Sequence, residues 1–251
     1  MLWRRTFLDL ALTLMIGGTG LMLVAGISGL GLSQAVKAIG AYAVFGLAVA
    51  IVLFRTFPLA ALGAANRVTL LRAGLPCLFA GLVGDGARVV DDLAVPLAVG
   101  TAAFLALDGV DGWLARRRGE ESAFGSLLDH ETDALFLLVL SVLVHQTDKV
   151  GPWIITAGLL HYLYLTARAI YPRLGADMPP TRRGQVVGLG AVLGLLACLF
   201  PDVETEVATG VATVVLSALA WSFTLDAFRL LRMTVSAHDE EVSSETAKTL
   251  P

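Results

Sequence analysis

Apolar runs of about 20 residues recur along the chain, at 7–31, 38–57, 68–84, 93–113, 130–147, 151–171, 185–200 and 207–230. A bilayer core of about 30 Å needs about 20 helical residues. The pattern therefore predicts eight membrane-spanning helices, the shortest at 185–200. The first run follows Arg4 and Arg5, as a signal peptide would. Its apolar stretch is too long for such a segment, and no small-residue cleavage site follows, so an uncleaved helix is expected. Pro58 stops a helix arriving from the membrane. The weakly apolar stretch 57–66 is expected to lie flat at the interface. Beyond residue 233 the chain turns polar, with Ser, Thr and Glu, which predicts a disordered tail.

Composition agrees with the pattern. The 251 residues are 56% hydrophobic and 16% charged, with a mean hydropathy of +0.76. Soluble domains carry about 25% charged residues. A soluble globular domain, a disordered chain and a disulfide scaffold are all excluded. Cys77 and Cys198 lie in separate apolar runs and read as buried thiols. The net charge of -3 says little, but the placement of the 18 Lys and Arg residues says more. With the N-terminus inside, only Lys37, Arg88 and Lys149 fall at outer helix ends. All the other basic residues fall at inner ends, the bias expected of cytoplasmic loops. Eight spans then place both termini inside.

Most charges sit in loops. The exception is Asp108, Asp111, Asp129 and Asp133, which interrupt an otherwise apolar pattern. Carboxylates at the end of a membrane helix are costly unless compensated. Asp108 and Asp111 are three residues apart and share a helix face, which Gly112 and Ala115 continue. Asp129 and Asp133 are four apart on the next helix, with Gly125 one turn before them. Joined by the basic turn 116–122, the two helices face each other and four carboxylates converge on one cavity. Left alone they would repel one another. Divalent cations resolve this, and an all-oxygen donor set suits Mg²⁺ or Mn²⁺. Mg²⁺ held by carboxylates usually completes its shell with water and substrate phosphate. The glycines let a bulky ligand approach the backbone, and Arg116 can pair with phosphate. The chemistry points to a metal-dependent site for a diphosphate at the cytoplasmic membrane face.

Residues 108–133 read D-x2-D-G-x2-A-R-x8-G-x3-D-x3-D without departure. This resembles the signature of the CDP-alcohol phosphatidyltransferases. Residues 66–72, N-R-V-T-L-L-R, also resemble the N-x2-T-x2-R found at the first core helix of that family. The resemblance covers about 65–231, six spans. It implies an all-α polytopic membrane bundle with a six-helix core at 58–233, two extra transmembrane helices at 1–57 and the tail at 234–251. It implies that Asp108, Asp111 and Asp129 ligate two metal ions, with Asp133 completing one shell and serving as general base. Gly112, Ala115 and Gly125 would line the nucleotide pocket, and Arg116 would hold the CDP moiety. Asn66 and Thr69, with Arg72, would reach the same pocket. The other reading of that trio is an interfacial helix start with a snorkelling Arg. The acceptor oxygen would attack the phosphorus carrying the lipid alcohol, and CMP would leave.

The implied partners are a CDP-linked lipid, an alcohol acceptor and the lipid bilayer, with no nucleic acid. Family members are often homodimers, so the resemblance allows one here. Arg168, Arg173, Arg182 and Arg183 cluster in one predicted cytoplasmic loop. They read either as topology anchors or as an anion site for a phosphorylated acceptor or a lipid phosphate. They favour an acceptor such as glycerol 3-phosphate, with serine, inositol phosphate and another lipid headgroup left open. The short chain favours CDP-diacylglycerol as donor and a bacterial inner membrane as location. His161 reads as a satisfied polar group between helices. Asp226 and Arg229, three apart, read as a local ion pair. Two other classes compete. A membrane prenyltransferase also binds diphosphate through Asp and Mg²⁺, but in two separated repeats. A transporter would place acids near mid-membrane on several helices. Release of CMP, of inorganic diphosphate, or of nothing separates the three.

Overall fold

The computed structural model describes residues 2–57, 62–170 and 181–248. The chain forms α1 (Leu2–Ile27), α2 (Leu32–Thr56), α3 (Ala64–Arg72), α4 (Gly74–Ala80), α5 (Gly86–Asp91) and α6 (Ala94–Arg118). It continues through α7 (Ala123–His145), a 3-10 turn at Pro152–Ile154, α8 (Ile155–Ile170), α9 (Arg182–Cys198) and α10 (Thr205–Lys248). No strand occurs among the described residues. The protein is an all-α, polytopic integral membrane protein.

Each of the eight apolar runs is helical. Among the described residues, four segments are long and apolar enough to cross a bilayer alone: Arg5–Ile27, Leu32–Thr56, Ala94–Arg118 and Thr205–Arg229. The others fall short for physical reasons. The third run is split between α3 and α4. Pro76 lacks the N–H that the Arg72 carbonyl would receive four residues on, so the helix loosens there. α7 carries Asp129, Glu131 and Asp133 within its first three turns. α8 and α9 have 16 and 17 residues. All four pack against neighbouring helices, as short or polar segments in a membrane must. Of the interfacial stretch expected at 57–66, residues 58–61 are not described, and Ala64, Ala65 and Asn66 already belong to α3. At the far end, α10 continues through Lys248, into the expected tail. No Pro interrupts 205–248, and its polar end is rich in Ala and Glu, which favour helix.

The main core lies between α4, α6, α7, α8, α9 and α10. Phe104 and Phe136 stack with ring centroids 4.1 Å apart, and Phe79 closes on Phe136 at 5.4 Å. Cys77 and Cys198 are buried free thiols, as their apolar surroundings predict. The two N-terminal helices pack on α3 and α4 rather than standing apart. Leu21, Ala38, Tyr42, Ala73 and Cys77 form one buried cluster. The Tyr42 hydroxyl donates to the Leu70 carbonyl at 3.1 Å, and Asp9 pairs with Arg67 at 2.9 Å. Both contacts fall on α3, the helix that carries Asn66, Thr69 and Arg72.

Candidate active site

A four-residue turn between α6 and α7 organises one end of the bundle. α6 closes at Gly119 in the left-handed conformation, with φ of 64°. A side chain would be strained there, so Gly ends the helix at little cost. Ser122 then caps α7, its Oγ accepting from the Gly125 N–H at 3.1 Å. Between them Glu120 reaches across to α3 and accepts from the Ala65 N–H at 3.3 Å. The first turn of a helix has unpaired N–H groups and the positive end of its dipole, so a carboxylate is favourable there. One short loop thus fixes the adjacent ends of three helices.

Helical spacing does the rest. Asp108 and Asp111 lie on the last turns of α6, and Asp129 and Asp133 on the early turns of α7. Carboxylate oxygens of Asp108, Asp111 and Asp129 lie within 4.8 Å of one another. The Thr69 hydroxyl donates to Asp111 Oδ2 at 2.9 Å and fixes its rotamer. The side chain of Asp111 is only 6% exposed, whereas that of Asp133 is 53% exposed. The four acids are therefore not equivalent. Asp111 sits at the floor, and Asp133 stands on the open rim, outside the tight group of three.

Arg72 occupies the centre. Its side chain is 0% exposed. The guanidinium hydrogen-bonds Asp108 and Asp129. Its Nε lies 3.6 Å from Asp111 Oδ2, and Nη2 lies 3.4 Å from Asp133 Oδ1. Beneath it the Phe104 ring lies 4.7 Å from Cζ. Two like unit charges this close repel by roughly 3–4 kcal/mol at an effective dielectric of about 20. The cation offsets that repulsion, and the acids offset the cost of burying it. This overturns the snorkelling alternative for Arg72, since the side chain turns inward and is fully covered. The spacing Asn66, Thr69, Arg72 already aligned the three on one face. What it did not reveal is that this face closes over the acids. Glu120 carried no signal in the sequence at all.

Two of the glycines expected to line a nucleotide pocket are closely approached by other side chains. The Arg116 guanidinium folds back over Gly112, 3.3 Å from where a β-carbon would stand. Asn66 is buried, and its Oδ1 lies 2.7 Å from the β-carbon position of Gly125. Ser122 Oγ lies 3.2 Å from the same point. Gly125→Ala therefore forces Asn66 or α7 to move. Overpacking of this kind costs about 1–3 kcal/mol of stability. We expect Gly125→Ala to unfold at a lower temperature than wild type in a detergent melting assay. An unchanged midpoint would show that α3 and α7 do not approach closely at this position.

Of the four loop arginines, the structure describes the side chains of two. Arg173 and the side chain of Arg168 lie outside the described residues. Arg182 is exposed at the start of α9. Arg183 is half-buried and pairs with Asp226 of α10, with the Trp221 ring 5.6 Å from its Cζ. The local pair expected between Asp226 and Arg229 is thus replaced by an interhelical one. Asp226 faces α9, where a partly buried partner is available, while Arg229 is exposed. His161 meets Glu131 at 3.1 Å between α7 and α8, the satisfied pair that its mid-span position predicts.

The donor set fits a hard divalent cation. Three carboxylates approach one another closely enough to share an ion, and neither Cys nor His is among them. The fold and the site define a membrane-embedded helical enzyme with an acidic centre at one end of its bundle. The model of the family described as CDP-alcohol phosphatidyltransferase matches residues 62–226, and the chain belongs to that family. Two curated relatives match part of it. An uncharacterized CDP-alcohol phosphatidyltransferase class-I family protein of Schizosaccharomyces pombe is 31% identical over 103 residues, 40% of this chain and 26% of that protein. The chloroplastic CDP-diacylglycerol–glycerol-3-phosphate 3-phosphatidyltransferase 1 of Oryza sativa subsp. japonica is 33% identical over 89 residues, 35% of this chain and 27% of that protein. The matched segments thus span about a quarter of each relative's length. No solved structure matches.

Proposed function

We propose that this chain transfers a phosphatidyl group from CDP-diacylglycerol to an acceptor hydroxyl and releases CMP. The site lies on the cytoplasmic face of a bacterial inner membrane, and the acceptor is phosphorylated, with glycerol 3-phosphate the leading candidate. The observation that carries the reading is the convergence of Asp108, Asp111 and Asp129 on one point, with Asp133 on the rim and Gly112, Arg116 and Gly125 beside them. Residues 58–233 form the catalytic unit, and α1 and α2 brace its α3. The donor is supported by the name of the rice relative. The acceptor is supported by that name and by the loop arginines, of which Arg182 is exposed.

The chemistry follows from the placement. Asp108, Asp111 and Asp129 would hold two Mg²⁺ or Mn²⁺ ions, with Asp133 at the edge of the second. When bound, the cations neutralise the diphosphate and stabilise the charge that develops on the leaving CMP. Arg116 holds the cytidylyl phosphate by charge-assisted hydrogen bonds, while Asn66, Thr69 and Ala115 shape the pocket wall. Asp133 accepts the proton of the acceptor hydroxyl. The acceptor oxygen forms a bond to the phosphorus carrying the diacylglycerol, and the bond from that phosphorus to the CMP oxygen breaks. Atoms balance as CDP-diacylglycerol plus alcohol giving phosphatidyl-alcohol, CMP and a proton. Asp133 has the exposure such a base needs, because the acceptor arrives from water.

An acceptor panel tests the finer reading. Purified chain in detergent, given CDP-diacylglycerol and Mn²⁺, is expected to release CMP only when glycerol 3-phosphate is added, and to form phosphatidylglycerophosphate. CMP release that depends instead on serine or inositol phosphate would replace the acceptor and keep the class.

A further inference from the structure

We propose that Arg72 is a built-in cation that contests the acidic site with divalent metal. This rests on the reading that Asp108, Asp111 and Asp129 hold the metal. The guanidinium hydrogen-bonds Asp108 and Asp129 and reaches Asp111 and Asp133, so it draws on the same carboxylates a bound ion requires. It is fully buried and rests on Phe104. Its Nε has no hydrogen-bond partner. The carboxylates, not a full set of hydrogen bonds, hold it in place.

The arrangement has two consequences of opposite sign. Arg72 holds α3 against α6 and α7 by bridging acids from both, so it stabilises the packing of the three helices. A divalent ion must share or displace it at Asp108 and Asp129, so it weakens metal affinity. The four carboxylates and Arg72 sum to -3. Two divalent ions would bring the site to +1, and Arg72 then supplies the excess positive charge that favours an anionic diphosphate. A purely structural arginine would behave differently, because its loss would weaken stability and metal binding together.

The test is Mn²⁺ binding to the full chain in detergent, read from the electron paramagnetic resonance of free Mn²⁺. Thermal unfolding in EDTA and in Mn²⁺ runs beside it. Arg72→Met should bind Mn²⁺ about tenfold more tightly than wild type, because a buried competing charge is gone. Its unfolding midpoint in EDTA should fall, and the rise on adding Mn²⁺ should be larger than in wild type. Arg72→Lys keeps a charge, but its single ammonium cannot bridge two acids in the same fork geometry. Its Mn²⁺ affinity should fall between the two. If Arg72→Met does not fold, Arg72→Lys decides alone. Mn²⁺ affinity in folded variants equal to or weaker than wild type would overturn the proposal. Absence of Mn²⁺ binding by the wild-type protein would overturn the metal reading beneath it, so the two failures are distinguishable.

Discussion

Replacing Asp133 with Asn is expected to lower CMP release by roughly 10²–10⁴-fold, the range that a positioned general base contributes. Binding of CDP-diacylglycerol should persist within about threefold, since the tight carboxylate group lies at Asp108, Asp111 and Asp129. The side chain of Asp133 is 53% exposed, and its Oδ1 lies 3.4 Å from Arg72 Nη2. A near-isosteric amide at such a place leaves the packing intact, so the variant should unfold close to the wild-type temperature. Binding and turnover then part company, which a merely destabilised protein would not show. Turnover near wild type would remove Asp133 from the role of base.

Removing divalent metal is expected to have the second large effect. With EDTA the acidic centre carries four carboxylates against Arg72 alone, a sum of -3. That charge repels an anionic diphosphate, and Arg116 alone is left to stabilise the leaving CMP. Metal ions supply several kcal/mol to such transition states, so CMP release should fall at least about 100-fold. Excess Mg²⁺ or Mn²⁺ should restore it, because Arg72 holds the helices in register meanwhile. Full activity in EDTA would contradict the metal-dependent mechanism.

Much of this site was legible in the sequence because its information is local. Spacings of three and four residues place acids on one helix face regardless of tertiary structure. A turn with Gly119 and Ser122 brings two successive helices together at their ends. The position of Arg72 was not legible, since it depends on how α3 packs between α6 and α7. The resemblance brought Arg72 only as far as the nucleotide pocket, and the other reading was an interfacial helix start with a snorkelling Arg. The partner of Asp226 was misjudged for the same reason. Spacing offered Arg229, and the interhelical contact offered Arg183 with better burial. The spans followed hydropathy well where helices face lipid on most sides, as α1, α2, α6 and α10 do. They followed it less well where acids interrupt the apolar run, as Asp129, Glu131 and Asp133 do in α7. Which residues meet the acceptor is a question about three-dimensional surroundings, and residues 171–180 lie outside the described residues.

The central claim is that this acidic centre transfers a phosphatidyl group with loss of CMP. The most direct measurement is the nucleotide released by the purified protein from CDP-diacylglycerol in the presence of Mn²⁺ and acceptor. The account predicts CMP and phosphatidyl product in a one-to-one ratio, both dependent on acceptor. Unchanged CDP-diacylglycerol with every acceptor and every divalent ion, from protein shown to be folded, would contradict it.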